Sequence, residues 1–400
     1  MRNRINWSSG WAAGCAGVVG LLSACSGKYY EVGQSDAGSA GELNNGTAGA
    51  GNGVGGRADN TSGAPNVAGA PSVAGAPDVA GTSGAPDMGT AGTPSVASYC
   101  GVQFSTLPSD VLPPKQVFEA VRQFVAGDDL NAPSPMVAGT KAELPAIAGK
   151  YALQLLDYYA APPPHSAPGI RRFVTAWLPG TPDAETWAPF FTNNTLQELM
   201  SSDAALPRGA GVLTDQAVLG KLSAFGTGIT ERGAYLSEHL LCRRVPESPP
   251  NIPALEAQKP GQTRRERLES AIAPPACAAC HRLADPLGFA LEHFDHVGAF
   301  QTIDNGQPID SSGVFTTAGQ EPLMFSSVND LGPQLANTCE AVMCLTGQLL
   351  DDARSAAHLA PLQGDARTEA AAKIGSAFAQ QGSSLPELVR LVAENMALFQ

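Results

Sequence analysis

Leu144-Pro-Ala-Ile147-Ala-Gly-Lys-Tyr151-Ala-Leu-Gln-Leu155-Leu-Asp-Tyr158 is the stretch whose reading decides the fold. Its large apolar side chains recur at Leu144, Ile147, Tyr151, Leu155 and Tyr158. That three-and-four spacing lines one face of an α-helix, and a strand with its period of two does not reproduce it. The same spacing stands upstream at Val117, Ala120, Val121 and Phe124. Start signals agree: Thr263-Arg-Arg-Glu266 and Ser384-Leu-Pro-Glu387 read as capping boxes, in which a hydroxyl and a carboxylate satisfy unpaired backbone amides reciprocally. One hairpin interrupts the helices, with Phe300 to Ile303 and Gln307 to Asp310 flanking an Asn305-Gly306 turn. The expected fold class is all-α with a small β-hairpin.

Nothing upstream of Tyr99 carries such a pattern. Arg2 and Arg4 precede an apolar stretch from Trp11 to Ala24 that is too short and too glycine-rich to span a membrane, so residues 1–24 read as a signal peptide. It ends in Leu22-Ser23-Ala24-Cys25, the residue order of a bacterial lipobox, in which Cys25 is acylated and becomes the first residue of an anchored chain. An ordinary secretory cut near Ala24, with Cys25 a bystander, is the alternative. Ser26, not Asp, follows Cys25, which resembles the sorting pattern for the Gram-negative outer membrane. The expected location is therefore the outer membrane, with membrane lipid as a partner through acylated Cys25. No later run of about 18 unbroken apolar residues offers a second crossing.

Residues 25–98 read as a tether. From residue 31 to 98 there is no aromatic side chain, one Leu, one Arg and no Lys, so the segment cannot bury enough apolar surface to offset its ordering entropy. It contains the repeat Gly63-Ala-Pro-Asn-Val-Ala68, Gly69-Ala-Pro-Ser-Val-Ala74, Gly75-Ala-Pro-Asp-Val-Ala80. Glycine here returns every sixth residue, whereas a collagen helix needs it every third. A flexible chain from 26 to 98 reaches about 50 Å. The whole sequence carries 24 basic against 37 acidic side chains, a net charge of −13, with no segregated basic patch, which excludes nucleic acid as a partner.

The chemistry-bearing motif is Cys277-Ala-Ala-Cys280-His281. Two thiols one helical turn apart suit the two vinyl groups of a haem, and an imidazole immediately after them reaches the iron, so the spacing points to one covalent haem c. Three rivals are weaker. A thioredoxin-like CxxC follows a strand in a βαβ unit, but Pro274-Pro275 and no α/β alternation surround this one. A zinc site wants a second ligand pair, for which only His293 and His296 stand nearby. A Cys277–Cys280 disulfide is a strained staple across a very short loop.

Asp285 and Pro286 suit the N-cap and first position of a helix opening just behind the motif. Leu287 and Phe289 are candidate porphyrin contacts, although Leu287, Leu291 and Phe294 on one face also read as ordinary core. His281 is one axial ligand. Met324, expected in the loop after the hairpin, is the candidate for the opposite face, ahead of Met343, His293 and His296.

At this point the chain resembles a bacterial family, of myxobacterial and planctomycete type: cytochrome c-like proteins carrying domains of unknown function 1592, 1588 and 1585. The resemblance rests on Arg232-Gly233, Leu241-Cys242-Arg-Arg-Val-Pro246, Pro249-Pro-Asn-Ile-Pro253, Arg265-Glu-Arg-Leu268, Pro275 to His281, Asp285-Pro-Leu-Gly-Phe-Ala-Leu-Glu292, Phe294-Asp295, Gly298 and Pro308 to Gly313. Leu331, Leu335, Cys344, Leu349 and Leu388-Val-Arg-Leu-Val392 resemble the 1585 unit, and Phe173 to Leu178 with Leu196 to Met200 loosely resemble the 1592 unit. It implies division into 99–208, a haem domain at 209–318, and a helical unit at 319–400. The family often has a histidine where this chain reads Ser270 to Ala273, so no role for it transfers.

The resemblance also marks Cys242 and Cys344, implying their disulfide and leaving Cys100 for Cys339. Cys339 and Cys344, five residues apart in one helix, are separated by about 8 to 9 Å and cannot pair with each other. The family has no established activity. It implies haem c binding and passage of single electrons to or from a redox partner protein. A haem enzyme of peroxidase or oxidative dehydrogenase type, and a structural surface lipoprotein without haem, are the alternatives.

Overall fold

The computed structural model describes residues 98–104, 112–135, 139–180, 182–204, 206–221, 228–247 and 255–396. The signal peptide, Cys25, the tether as far as Ala97 and the Pro249–Pro253 segment lie outside the described residues. The architecture is mainly helical, as the apolar periodicity requires. In chain order the helices are α1 (Pro114–Val125), α2 (Leu144–Ala160), α3 (Pro168–Trp177), the one-turn helices α4 (Ala184–Trp187), α5 (Phe190–Asn193), α6 (Leu196–Leu199) and α7 (Gln216–Leu219), then α8 (Ile229–Leu240), α9 (Arg264–Ile272), α10 (Pro275–Phe289), α11 (Val328–Leu335), α12 (Cys339–Ala356), α13 (Gly364–Gln380) and α14 (Leu385–Met396).

Helix α2 packs against α1 and α14, while α12, α13 and α14 pack on one another. The face of α2 turned inward is Leu144, Ala148, Tyr151, Ala152, Leu155, Leu156 and Tyr159, so Ile147 and Tyr158 sit at its margin and are only partly covered. One hydrophobic core runs from Val121 and Leu155 through Leu199, Leu240 and Leu291 to Leu345 and Leu388. The first capping box is present: the Thr263 amide donates to Glu266 Oε2 at 2.8 Å and the Glu266 amide to Thr263 Oγ1 at 3.1 Å. At the second expected box, Glu387 pairs instead with Arg390. A further box closes at Thr195 and Glu198.

Among the described residues, three two-stranded antiparallel pairs stand where one hairpin was expected: β1 (Ser98–Tyr99) with β2 (Val102–Gln103), β3 (Ile303–Asp304) with β4 (Gln307–Pro308), and β5 (Gly313–Phe315) with β6 (Leu323–Phe325). The β3–β4 turn holds Asn305 at φ 49° and Gly306 at φ 80°, the left-handed pair that a two-residue hairpin needs. Its strands are shorter than expected, because Phe300 bridges to Phe294 outside the ladder. Met324 lies within β6 opposite Val314, not in a loop.

The largest departure concerns α10. A helix was expected to open at Asp285-Pro286, and instead one helix starts behind Pro274 and runs through Pro286 to Phe289. Pro275 sits in the first turn, where its missing N–H is not needed, and is the true start signal. An internal proline loses a backbone bond and costs about 3 kcal/mol. Close packing of α8 on this helix offsets it. An added Cβ at Gly233 meets the Ala284 carbonyl oxygen at 1.9 Å, and one at Gly288 meets that of Ile229 at 1.9 Å. Ser237 Oγ donates to the Leu283 carbonyl at 2.8 Å between them.

Four cysteines form two bridges, Cys100–Cys339 and Cys242–Cys344, with Cα separations of 5.7 and 5.3 Å. Both Cys339 and Cys344 lie on α12, so this helix is tied to the β1–β2 hairpin and to Cys242, two residues beyond the end of α8.

Gly233→Ala adds one methyl group where α8 and α10 nearly touch. Alanine gains up to about 1 kcal/mol in helix propensity, so a net loss of about 1–3 kcal/mol in unfolding free energy is the signature of overpacking at this contact. Denaturant unfolding followed by circular dichroism measures it, and a variant as stable as wild type refutes the close approach.

Candidate haem-attachment site

Cys277, Cys280 and His281 occupy the first half of α10, three and four positions apart, and so share one helix face. Cys277 is exposed and Cys280 half-buried, and neither is in a disulfide. The half of the helix that carries them lies open: Pro275 to Cys277, Ala279 and Arg282 are exposed, and Ala278, Cys280, His281 and Leu283 are partly covered. From Pro275 to Cys280 that face carries no charge. An uncharged helix surface bearing two free thiols and ending in an imidazole suits covalent attachment of a flat apolar group, and these residues fit a haem c.

The imidazole is already oriented. His281 Nδ1 lies 2.8 Å from Asp285 Oδ2, one turn further along α10. Asp285 is 2% exposed, and its other oxygen accepts from Thr230 Oγ1 of α8 at 2.8 Å. The Thr230 hydroxyl also lies 3.5 Å from His281 Nδ1. With Nδ1 committed to Asp285, Nε2 is the nitrogen left to ligate a metal. The hydrogen bond to Asp285 raises the His281 pKa above its ordinary value, against an opposing effect of burial.

Glu231, next to Thr230 on α8, adds a second acidic group. Burial pushes its carboxyl pKa up, and Oε2 has no hydrogen-bond partner among the described residues. Arg232 is 4% exposed and anchors the helix on its far side, donating to the Leu219 carbonyl at 3.1 and 2.9 Å and to the Phe294 carbonyl at 2.8 Å.

The other expected site residues are placed elsewhere. Leu287 is fully buried in the main core with Leu291 and Phe294. Phe289 belongs to a separate small cluster with Ile229 and Leu268, with the Arg265 guanidinium 4.3 Å over its ring. Both lie beyond Pro286 in the buried half of α10, covered by protein side chains. Met324 is 74% exposed and lines an open groove of about 910 Å³ with Arg265, Val314, Phe325 and Asp330. Met343 is half-buried inside α12 beside Cys344.

Helix α10 ends before His293 and His296. His293 Nδ1 lies 2.8 Å from the Gln301 carbonyl and its ring stacks on Phe300, while His296 is exposed. Among the described residues, no three His, Cys, Asp or Glu side chains converge as a metal site would require. A helix, α9, precedes the CxxCH motif where a thioredoxin-like site has a strand.

Sequence reasoning missed Thr230 and the role of Asp285. Asp285 stands four residues after His281, a helical contact spacing, but the reading of Asp-Pro as a helix start concealed it. Thr230 had no local signal, since only the packing of α8 on α10 brings it there.

No curated protein and no solved structure matches the chain. Residues 209–304, which contain Thr230, Cys277, Cys280, His281 and Asp285, match the model of a family described as PSCyt3, Protein of unknown function (DUF1588), so this stretch is similar to a cytochrome-like domain.

Proposed function

We propose that the chain is an exported, lipid-anchored c-type haem protein that passes single electrons to or from a partner oxidoreductase. The observation that supports this reading best is the pair of unbonded thiols one turn apart on an open helix face, followed by an imidazole that a buried carboxylate holds by Nδ1. On this reading Cys277 and Cys280 would hold the haem through thioethers, each S–H adding across a vinyl group with the sulfur on one carbon and the hydrogen on the other. His281 would offer Nε2 to the iron. A bound haem would supply the one-electron couple, and the uncharged stretch from Pro275 to Cys280 would offer it an apolar surface. Residues 99–208 and 319–400 are then helical units like 1592 and 1585 flanking the haem domain. Cys25 carries the lipid and the segment from 26 to 98 spaces the domain from the outer membrane.

Covalent haem is tested by a haem stain of the denatured, purified protein together with its mass. Wild type is expected to stain and to carry the mass of one haem, and replacing both Cys277 and Cys280 with Ala abolishes both signals. An unstained wild-type protein exported by a host that matures haem c refutes the reading. A low-spin, six-coordinate spectrum supports the electron carrier, whereas a high-spin iron that reacts with peroxide replaces it with a haem enzyme.

Cys25→Ala tests the anchor. The variant is expected to leave the membrane fraction as a folded protein; retention after a high-salt wash contradicts acylation at Cys25.

Met324 is the candidate sixth ligand, because its thioether is exposed where Met200 and Met396 are packed in the core. Met324→Leu is expected to remove a thioether-to-iron charge-transfer band and lower the reduction potential while covalent haem remains. If band and potential persist, a different group faces the iron.

A further inference from the structure

Asp285 breaks the local rule for its sequence. Followed by proline it is expected to cap a helix, yet it sits inside one, buried, and its two oxygens are divided between His281 and Thr230. A buried carboxylate is costly unless both oxygens are satisfied, so its retention calls for an explanation. Its partners are fixed with unusual rigidity: His281 stands on the same helix one turn away, and Thr230 is held on α8 by the glycine contacts at Gly233 and Gly288. A carboxylate that accepts the second ring proton of a ligating histidine makes that imidazole a stronger electron donor.

Given the haem reading above, on which this rests, we propose that Asp285 is a positioning residue that sets the donor strength of His281, and that Thr230 regulates it by drawing part of the carboxylate's charge into a second hydrogen bond. A stronger proximal donor favours ferric over ferrous iron, the couple being one electron taken from an added reductant with no proton moved. The two residues therefore act in opposite directions. Removing the charge of Asp285 weakens His281 as a donor; removing the Thr230 hydroxyl leaves the carboxylate to His281 alone and strengthens it. A residue serving only to hold the helices together has no reason to produce opposite signs.

The test is redox titration of the detergent-solubilised full chain with its haem, in wild type, Asp285→Asn and Thr230→Val, with the iron–histidine stretching frequency read by resonance Raman on the ferrous state of the same three proteins carrying Met324→Leu, which on the reading above leaves the iron five-coordinate. Asp285→Asn is expected to keep covalent haem, to shift the ferric-to-ferrous preference at least tenfold toward ferrous, a rise of about 59 mV or more, and to lower the stretching frequency. Thr230→Val is expected to move both readings the other way. Should Asp285→Asn fail to fold, the sign of the Thr230→Val shift decides alone. Unchanged potentials, shifts of the same sign, or loss of haem from both variants while wild type retains it overturn the tuning role. Absence of covalent haem from wild type overturns the haem reading itself and this assignment with it.

Discussion

The site depends on a contact in which neither helix presents a side chain. Gly233 of α8 faces the backbone of Ala284, and Gly288 of α10 faces that of Ile229, so the two helices approach as closely as their main chains permit. This close approach lets a side chain as short as Thr230 reach Asp285, and lets Ser237 reach the Leu283 carbonyl. Larger residues at either glycine would force the axes apart, since helices with ordinary side chains at the contact lie about 8–10 Å from each other. Arg232 holds the other side of α8 against the Leu219 and Phe294 carbonyls, so the helix is fixed from two directions.

Pro286 marks a division within α10. After it, Leu287, Gly288 and Phe289 are buried, and the helix serves as core. Before Ala284 most of the surface is open and uncharged, and it carries both free thiols. Asp285, at the boundary, is the last polar side chain before the core and the one that fixes the imidazole. One helix thus joins a packed half, which gives position, to an open half, which is available for chemistry. Leu287 and Phe289 lie in the packed half, where they serve the scaffold.

Much of the architecture was legible because its causes are local. Apolar spacing identified α1 and α2, the Thr263–Glu266 box marked α9, and Asn305-Gly306 fixed one hairpin turn. The disulfide partners followed from a family likeness. What escaped was decided by tertiary contact. Strands of two or three residues leave almost no periodic trace, so the sequence alone does not reveal β5–β6 or that Met324 lies in a strand. Asp-Pro ordinarily begins a helix, and only the packing of α8 tolerates it in the middle of one. The Pro274-Pro275 pair, noted only as an argument against a redox motif, was the start signal of the helix that carries the site.

The disulfides bear on the same region. Cys344 of α12 captures Cys242, which follows α8, and Cys339 of the same helix captures Cys100 of the first hairpin, over sequence separations of 102 and 239. Loops of this length are those for which cross-linking removes the most entropy from the unfolded chain, about 4.7 kcal/mol for the shorter and about 5.5 kcal/mol for the longer on the chain-entropy model. One bridge pins the C-terminal end of α8, while Thr230 sits in its first turn, so the helix that grips Asp285 is restrained at both ends. The bridges also consume every other cysteine among the described residues. In the oxidising compartment that the proposed export implies, Cys277 and Cys280 then have no competing thiol elsewhere in the folded domain. Their reactivity is left for a partner that reaches the open face of α10 from outside, which is the condition a covalent prosthetic group requires.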